Sequence, residues 1–557
     1  MKYNVVLFIL FVLGSVHAQE FMPFPPSRHL PENSVIDLSL HLHAPAGKHG
    51  RIQANGRGFK HNSGGLRFYG VNMTFNSLFP EKASDAEQDA ERIARMGFNM
   101  VRIHHQDWQT WPQGRPKGIV LSRAEPDKLH PVALDRLHRL MAECIQRGVY
   151  INLNLHVSRH NWLDKNGEPL FIKAQEAKKV LEQEHHTALL KAYSKSLLTT
   201  VNPYTGLSPA EDPGIAIVEI SNENRHSSGE WYDEFATFIR EECGYKGLIA
   251  GTHENFKQES TQDLEITNHY HRHPDFKVGF QPGVDDGSIV TGKGKGVGFQ
   301  AFTKNFTGEF PTMITEYNHP WPNYASSEAP LVEAVGFLTT EIGGILHFTW
   351  SQNGADKDYI ASFFETWKNP AQFVHMPAAV IASKGKGYEG AGFGKKARQP
   401  KTVGAVTWTM GKTGHVAMRG KRVKGLFGYP ANQRYDLGDG VRVKPGAGRE
   451  GHCALSFTNL QGDHFPNQGT YLLAISAETK NTGAEHKGGE GPILAEILSC
   501  EVDLPVAADV ITVHSLDADG RVQGRIPVQN HDEGCRIILG KEHPSLWYLV
   551  TMKEQIP

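Results

Sequence analysis

Cysteine is scarce in this chain. Five residues among 557 are too few for the dense disulfide framework of small secreted folds. Cys144 and Cys243 fall in helical segments and read as buried thiols. Cys453, Cys500 and Cys535 share the terminal region, where there is room for one bridge of unreadable pairing. Net charge is nearly absent too: 58 basic against 60 acidic residues leave −2, which removes any electrostatic argument for a nucleic-acid partner. After the N-terminus no apolar run is long enough to span a bilayer. Phosphate-cradling order is also missing. Lys293-Gly-Lys-Gly and Lys384-Gly-Lys-Gly lack the Gly-x-x-x-x-Gly-Lys-Ser/Thr arrangement and read as loops.

The first residues have the layout of a secretory signal: Lys2, apolar residues 5–12, then Val16-His-Ala18 before Gln19. Cleavage after Ala18 is expected, giving a secreted chain, periplasmic or extracellular, with no integral membrane segment. No cysteine stands at the cleavage site to carry a lipid.

Residues 19–64 read as a Pro-rich, loose lead-in followed by a small β extension. From 65 to 388, eight strand candidates alternate with helices: 66–75, 99–104, 149–156, 215–221, 247–251, 264–271, 310–317 and 344–350. That alternation predicts an α/β fold, a closed parallel (β/α)8 TIM barrel. From 395 to 557, glycine-punctuated β runs predict a β-sandwich. Its few tryptophans, Trp408 and Trp547, point to bracing of the barrel rather than to sugar binding.

The chemistry is expected where two barrel strands end in glutamate. Ile215-Ala-Ile-Val-Glu219-Ile-Ser runs into Asn222-Glu223, and Phe310-Pro-Thr-Met-Ile-Thr precedes Glu316-Tyr317. Barrel chemistry gathers at the C-terminal ends of strands, and two carboxylates facing one pit are what glycoside hydrolysis requires. Taken singly, either glutamate would read as a surface or salt-bridged residue.

With these residues placed, residues 45–385 resemble the clan of retaining β-glycosidases with (β/α)8 barrels, nearest in texture to cellulase-like family 5. The resemblance implies a hydrolase working by double displacement on a polysaccharide or oligosaccharide, with no cofactor and no metal. It makes Glu223 the acid/base and Glu316 the nucleophile. Arg102 and Tyr270 are implied beside the nucleophile. His156 corresponds to the strand-3 histidine and Trp350 to the aromatic floor under the reacting sugar. Asn222 is expected on the sugar 2-hydroxyl, with His105, Trp162 and Trp321 as further sugar contacts. Hydrogen bonds from Arg102 and Tyr270 are expected to hold Glu316 ionised.

Two other readings compete. One is a non-catalytic carbohydrate-binding protein with a degenerate barrel. The other is a metal-dependent hydrolase using His104, His105 and Asp107, with His156 as a further ligand. The histidines lack His-x-x-x-His spacing, and adjacent histidines on a strand point to opposite faces.

Overall fold

The structure is a computed structural model. It describes residues 19–108, 118–122, 124–158, 162, 183–224, 227–251, 262–274, 286–292, 309–352, 357–385, 401–430, 432–461, 464–484 and 488–553. The expected signal segment, 1–18, lies outside the described residues.

Eight parallel strands form the barrel: β1 (Phe68–Thr74), β2 (Met100–His104), β3 (Tyr150–His156), β4 (Ile215–Ser221), β5 (Leu248–Ala250), β6 (Glu265–Tyr270), β7 (Thr312–Asn318) and β8 (Gly344–Ser351). Their order in the sheet is 5-4-3-2-1-8-7-6. The seam between β5 and β6 has no strand ladder among the described residues. Asp263 bridges it instead, its N–H donating to the Ile249 carbonyl at 2.9 Å while its carboxylate accepts from Ile249 N at 2.7 Å.

Helices α1 (Ala83–Arg95), α2 (Pro131–Gln146), α3 (Glu184–Thr199), α4 (Gly229–Glu241) and α5 (Ala329–Thr339) lie between strands. Two short ones, α6 (Pro370–Phe373) and α7 (Met376–Ser383), follow β8. Helices α1 and α2 each stop just before a glycine, Gly97 at φ 85° and Gly148 at φ 86°. Only glycine takes that left-handed turn without strain. No helix among the described residues is long and apolar enough to cross a membrane.

Beyond 400 the described chain is antiparallel: one sheet of nine strands, the first Lys401–Val403 and the last in sequence Trp547–Met552, one of five, and one of three that Thr479–Thr482 and Glu490–Glu496 form with an N-terminal strand. One face of the larger sheet packs on the smaller through Leu426, Leu455, Leu473, Val443, Val502 and Ile537. Its other face, with Trp408, Met418, Phe427 and Trp547, joins the barrel core. The Trp547 indole N–H donates to the Val374 carbonyl at 2.7 Å, giving a buried polar atom its partner across the contact.

Two expectations change. Residues 19–34 are not a loose lead-in, because Phe21–Pro23 pairs antiparallel with Leu494, Ala495 and Glu496 and covers a sheet edge. All five cysteines are buried free thiols, so the terminal three form no bridge.

Candidate active site

Arg102, near the end of β2, is the hub of the pit. Its Nε and Nη2 donate to both oxygens of Glu219 at 2.8 and 2.7 Å. Its Nη1 reaches Glu316 Oε1 at 2.8 Å and Asn72 Oδ1 at 3.1 Å. Its Nη2 also donates to Asn222 Oδ1 at 3.1 Å. Burial works against the guanidinium charge, but Glu219 and Glu316 more than restore it, and its pKa rises. A buried charge persists only when paired in this way.

Glu316 also accepts from the Tyr270 hydroxyl at 2.5 Å, and His104 Nε2 stands 3.5 Å from its Oε1. Burial, reinforced by Arg102 and His105, holds His104 well below its ordinary pKa. It therefore faces Glu316 as a neutral imidazole.

Glu316 is not held low, as the sequence led one to expect. Burial pushes its carboxyl up to about 7; Arg102 opposes this, the Glu223 charge adds to it, and the Tyr270 and Arg102 hydrogen bonds pull back. Burial is the physical reason, and the Arg102 charge that opposes it is shared with Glu219. Arg102 gives its two-pronged face to Glu219, so Glu316 receives one guanidinium N–H and a shared charge. Asn152 and Asn154 donate to Glu219 as well, at 2.6 and 2.9 Å.

Glu223 follows β4 at φ 48°, a left-handed backbone that non-glycine residues adopt uncommonly. Its side chain is exposed at the mouth of the pit and accepts from Asn268 Nδ2 at 3.1 Å. Asn268 is fixed in turn by the Thr315 hydroxyl at 2.8 Å.

An aromatic wall completes the pit. The Phe348 ring lies 5.8 Å from Tyr270, 5.7 Å from His104 and 5.3 Å from Phe364, centroid to centroid.

Of the residues expected in the site, the structure brings Arg102, Asn222, Glu223, Tyr270 and Glu316 together. Four others lie elsewhere. Trp350 faces the helices, under the Arg92 guanidinium at 5.7 Å and edge-on to Phe98. The register of β8 with β1 jumps between His347 and Ser351, so simple alternation fails there and Phe348 takes the pit-facing place. Trp321 is buried with Ile360 and Ile493 and donates to the Thr479 carbonyl at 3.0 Å; it anchors the C-terminal sheets. Trp162 is fully buried, donating to the Asp107 carbonyl at 2.9 Å and packing on Tyr193. His156 turns outward to Ser194 Oγ at 2.9 Å, between Tyr193 and Phe235.

His105 stacks on Phe75 at 4.1 Å and bonds Ser158 Oγ at 2.6 Å, so His104 is the histidine of that pair that faces Glu316. Asp107 accepts from the backbone N–H groups of Val157 and Ser158. The His105, Asp107 and His156 grouping that a metal-dependent hydrolase would need is thus spent on other partners. Glu219, Asn268 and Phe348 had not been singled out from the sequence, and His104 only as a candidate metal ligand. Alternation signals Asn268, two residues before Tyr270. A carboxylate inside the apolar run of β4 signals Glu219, because it must find a partner.

A cavity of about 850 Å³ opens at the other end of the barrel, lined by Phe59, Arg67, Asn99, Tyr150 and Lys384 among others. It lies where the strands begin, away from both glutamates.

A barrel with glutamates at the C-terminal ends of two strands, Glu316 within β7 and Glu223 just past β4, fits the scaffold of a glycoside hydrolase. The family model for cellulase (glycosyl hydrolase family 5) matches residues 53–269. That match spans less than half of the chain and supports a family 5-like hydrolase acting on carbohydrate. No curated protein matches it. Among solved structures it is similar to an endo-1,4-beta-mannanase from Rhizomucor miehei, at 13% identity and TM-score 0.43, over 60% of this chain and 100% of that one. It is similar also to an endo-beta-1,4-mannanase from Thermotoga petrophila, at 13% identity and TM-score 0.41, over 74% and 95%. An endogalactoceramidase matches at 13% identity and TM-score 0.38, over 90% and 100%.

Proposed function

We propose that Glu316 is the nucleophile and Glu223 the acid/base of a secreted β-glycosidase that cleaves a polysaccharide or oligosaccharide. The observation that carries this assignment is the convergence of Arg102 and Tyr270 on Glu316, while Glu223 holds the open mouth where a leaving group departs. Glu316 attacks the anomeric carbon as Glu223 protonates the glycosidic oxygen. Glu223, now a carboxylate, then takes a proton from the water that releases the sugar. Asn268 orients Glu223, Asn222 faces the sugar beside Arg102, and Phe348 packs beneath the reacting ring. Expulsion of residues 1–18 delivers the chain to the periplasm or beyond.

Retention is the expected stereochemistry. Proton NMR of the first product should show the β anomer ahead of mutarotation; an α anomer appearing first would remove the double displacement.

The titration of Glu316 sets a pH dependence. A nucleophile must be ionised, so a Glu223→Ala enzyme assayed on an aryl glycoside with a good leaving group should speed up as pH rises through the Glu316 pKa. The Glu223 charge is one cause that raises Glu316, so its removal should place the midpoint below about 7. A midpoint above 7, or a flat profile from pH 5 to pH 8, would contradict the assignment.

A further inference from the structure

Behind the pit, on the reverse side of β6 and β7, lies a polar cluster that this chemistry does not use. Tyr270 points its hydroxyl at Glu316, so the next residue, His271, points away. On β7 the chain runs from Glu316 through Tyr317 to His319, just past the strand. His271, His319 and Glu328 are all buried, and one ligand atom from each lies within 4.8 Å of the others.

We propose that His271, His319 and Glu328 bind a divalent cation of the zinc type, with His452 of the C-terminal sheet placed to supply a fourth ligand. His319 Nδ1 is 3.7 Å from Glu328 Oε1, and His452 Nε2 is 3.6 Å from Glu328 Oε2. Ligands of a tetrahedral zinc with bonds of about 2.0–2.1 Å stand roughly 3.3 Å apart, so small side-chain motions close the site. His319 Nδ1 and both ring nitrogens of His452 have no hydrogen-bond partner, and both residues are wholly buried. Glu328 is equally buried. Among the described residues its ion-pair partners are these two histidines, with no lysine or arginine. A buried carboxylate without a firm counter-charge is costly, and a cation supplies one.

The surroundings are those of an oriented metal ligand set. The second nitrogen of His319, Nε2, is 2.8 Å from the Tyr317 hydroxyl, which accepts its N–H when Nδ1 takes the metal. Ser288 Oγ and Ile289 N donate to Glu328 at 2.8 and 2.6 Å. His271 Nε2 has the Gly287 carbonyl at 3.2 Å and the Arg272 Nε–H at 3.1 Å. On binding through Nδ1, it keeps the carbonyl as acceptor and releases the arginine. The ion would tie the ends of β6 and β7 to the segment before α5 and to the C-terminal sheet. Its role is structural, which is compatible with a pit whose chemistry needs no metal.

The test uses the full mature chain without a polyhistidine tag, stripped with dipicolinate and then offered zinc alone. The wild type should retain one zinc per chain through gel filtration and gain several degrees in Tm on reloading. Glu328→Gln should retain none. Tyr317→Phe, a milder change, should weaken zinc binding about 10–100-fold. Glu316→Ala should keep its zinc in full, which separates this site from the catalytic assignment. A wild-type chain that takes up no stoichiometric zinc overturns the proposal, as does undiminished zinc in both Glu328→Gln and Tyr317→Phe.

Discussion

Glu316→Ala and Glu223→Ala are each expected to lose several orders of magnitude in kcat/KM on an unactivated β-linked substrate. Positioned acid–base catalysis alone is worth about 10²–10⁴-fold, and loss of the nucleophile removes the covalent route altogether. The two variants should separate on rescue by azide. With Glu223→Ala and an activated aryl glycoside, the glycosyl-enzyme still forms, and azide displaces Glu316 to give a β-glycosyl azide. With Glu316→Ala, azide fills the vacated space and attacks the substrate directly, giving the α-glycosyl azide. Product anomers read by NMR decide between them. Exchanged anomers would reverse the roles, and near-normal turnover in either variant would remove that glutamate from the mechanism. A glutamate that only held sugar hydroxyls would instead raise KM and leave kcat in place.

How far the sequence could reach is visible in individual residues. All eight barrel strands were legible because βα alternation writes itself in hydrophobic period, and both glutamates fell at strand ends, where barrels place chemistry. Tyr270 was legible as a strand-end tyrosine, and alternation along the strand turns its neighbours His269 and His271 to the other face. His269 instead meets Thr267 Oγ1 at 3.1 Å, and His271 joins the buried cluster behind. What failed were inferences from type and proximity in sequence. Trp321 follows Glu316 by five positions, yet the chain has by then left the pit for the C-terminal sheets. Trp350 shares parity with Phe348, but the broken register of β8 separates their faces. Residues 19–34 looked unstructured because their partner strand lies more than 400 positions away, and no local pattern announces such a pairing.

Arg102→Ala should produce the largest loss of stability among single changes in the pit. It leaves Glu219 and Glu316 buried without the cation they share, and breaking one side of a buried ionic set costs about 3–5 kcal/mol. The loss should depend on pH, in a direction fixed by linkage. Glu316 already has a folded-state pKa near 7, raised by burial, above the roughly 4.3 of an unfolded glutamate. The native state therefore holds a proton that the unfolded state releases. This group's contribution to stability is most favourable below about pH 4 and declines as pH rises toward 7. Without Arg102, the main charge opposing that shift disappears, so the decline steepens and extends to higher pH. Urea denaturation at pH 5 and pH 8 should show a variant deficit clearly larger at pH 8. Arg102→Lys should recover only part of it, because an ammonium cannot span Glu219 with two parallel hydrogen bonds while reaching Glu316. A deficit under 1 kcal/mol at pH 8, or one equal at both pH values, would show that Arg102 does not balance these carboxylates.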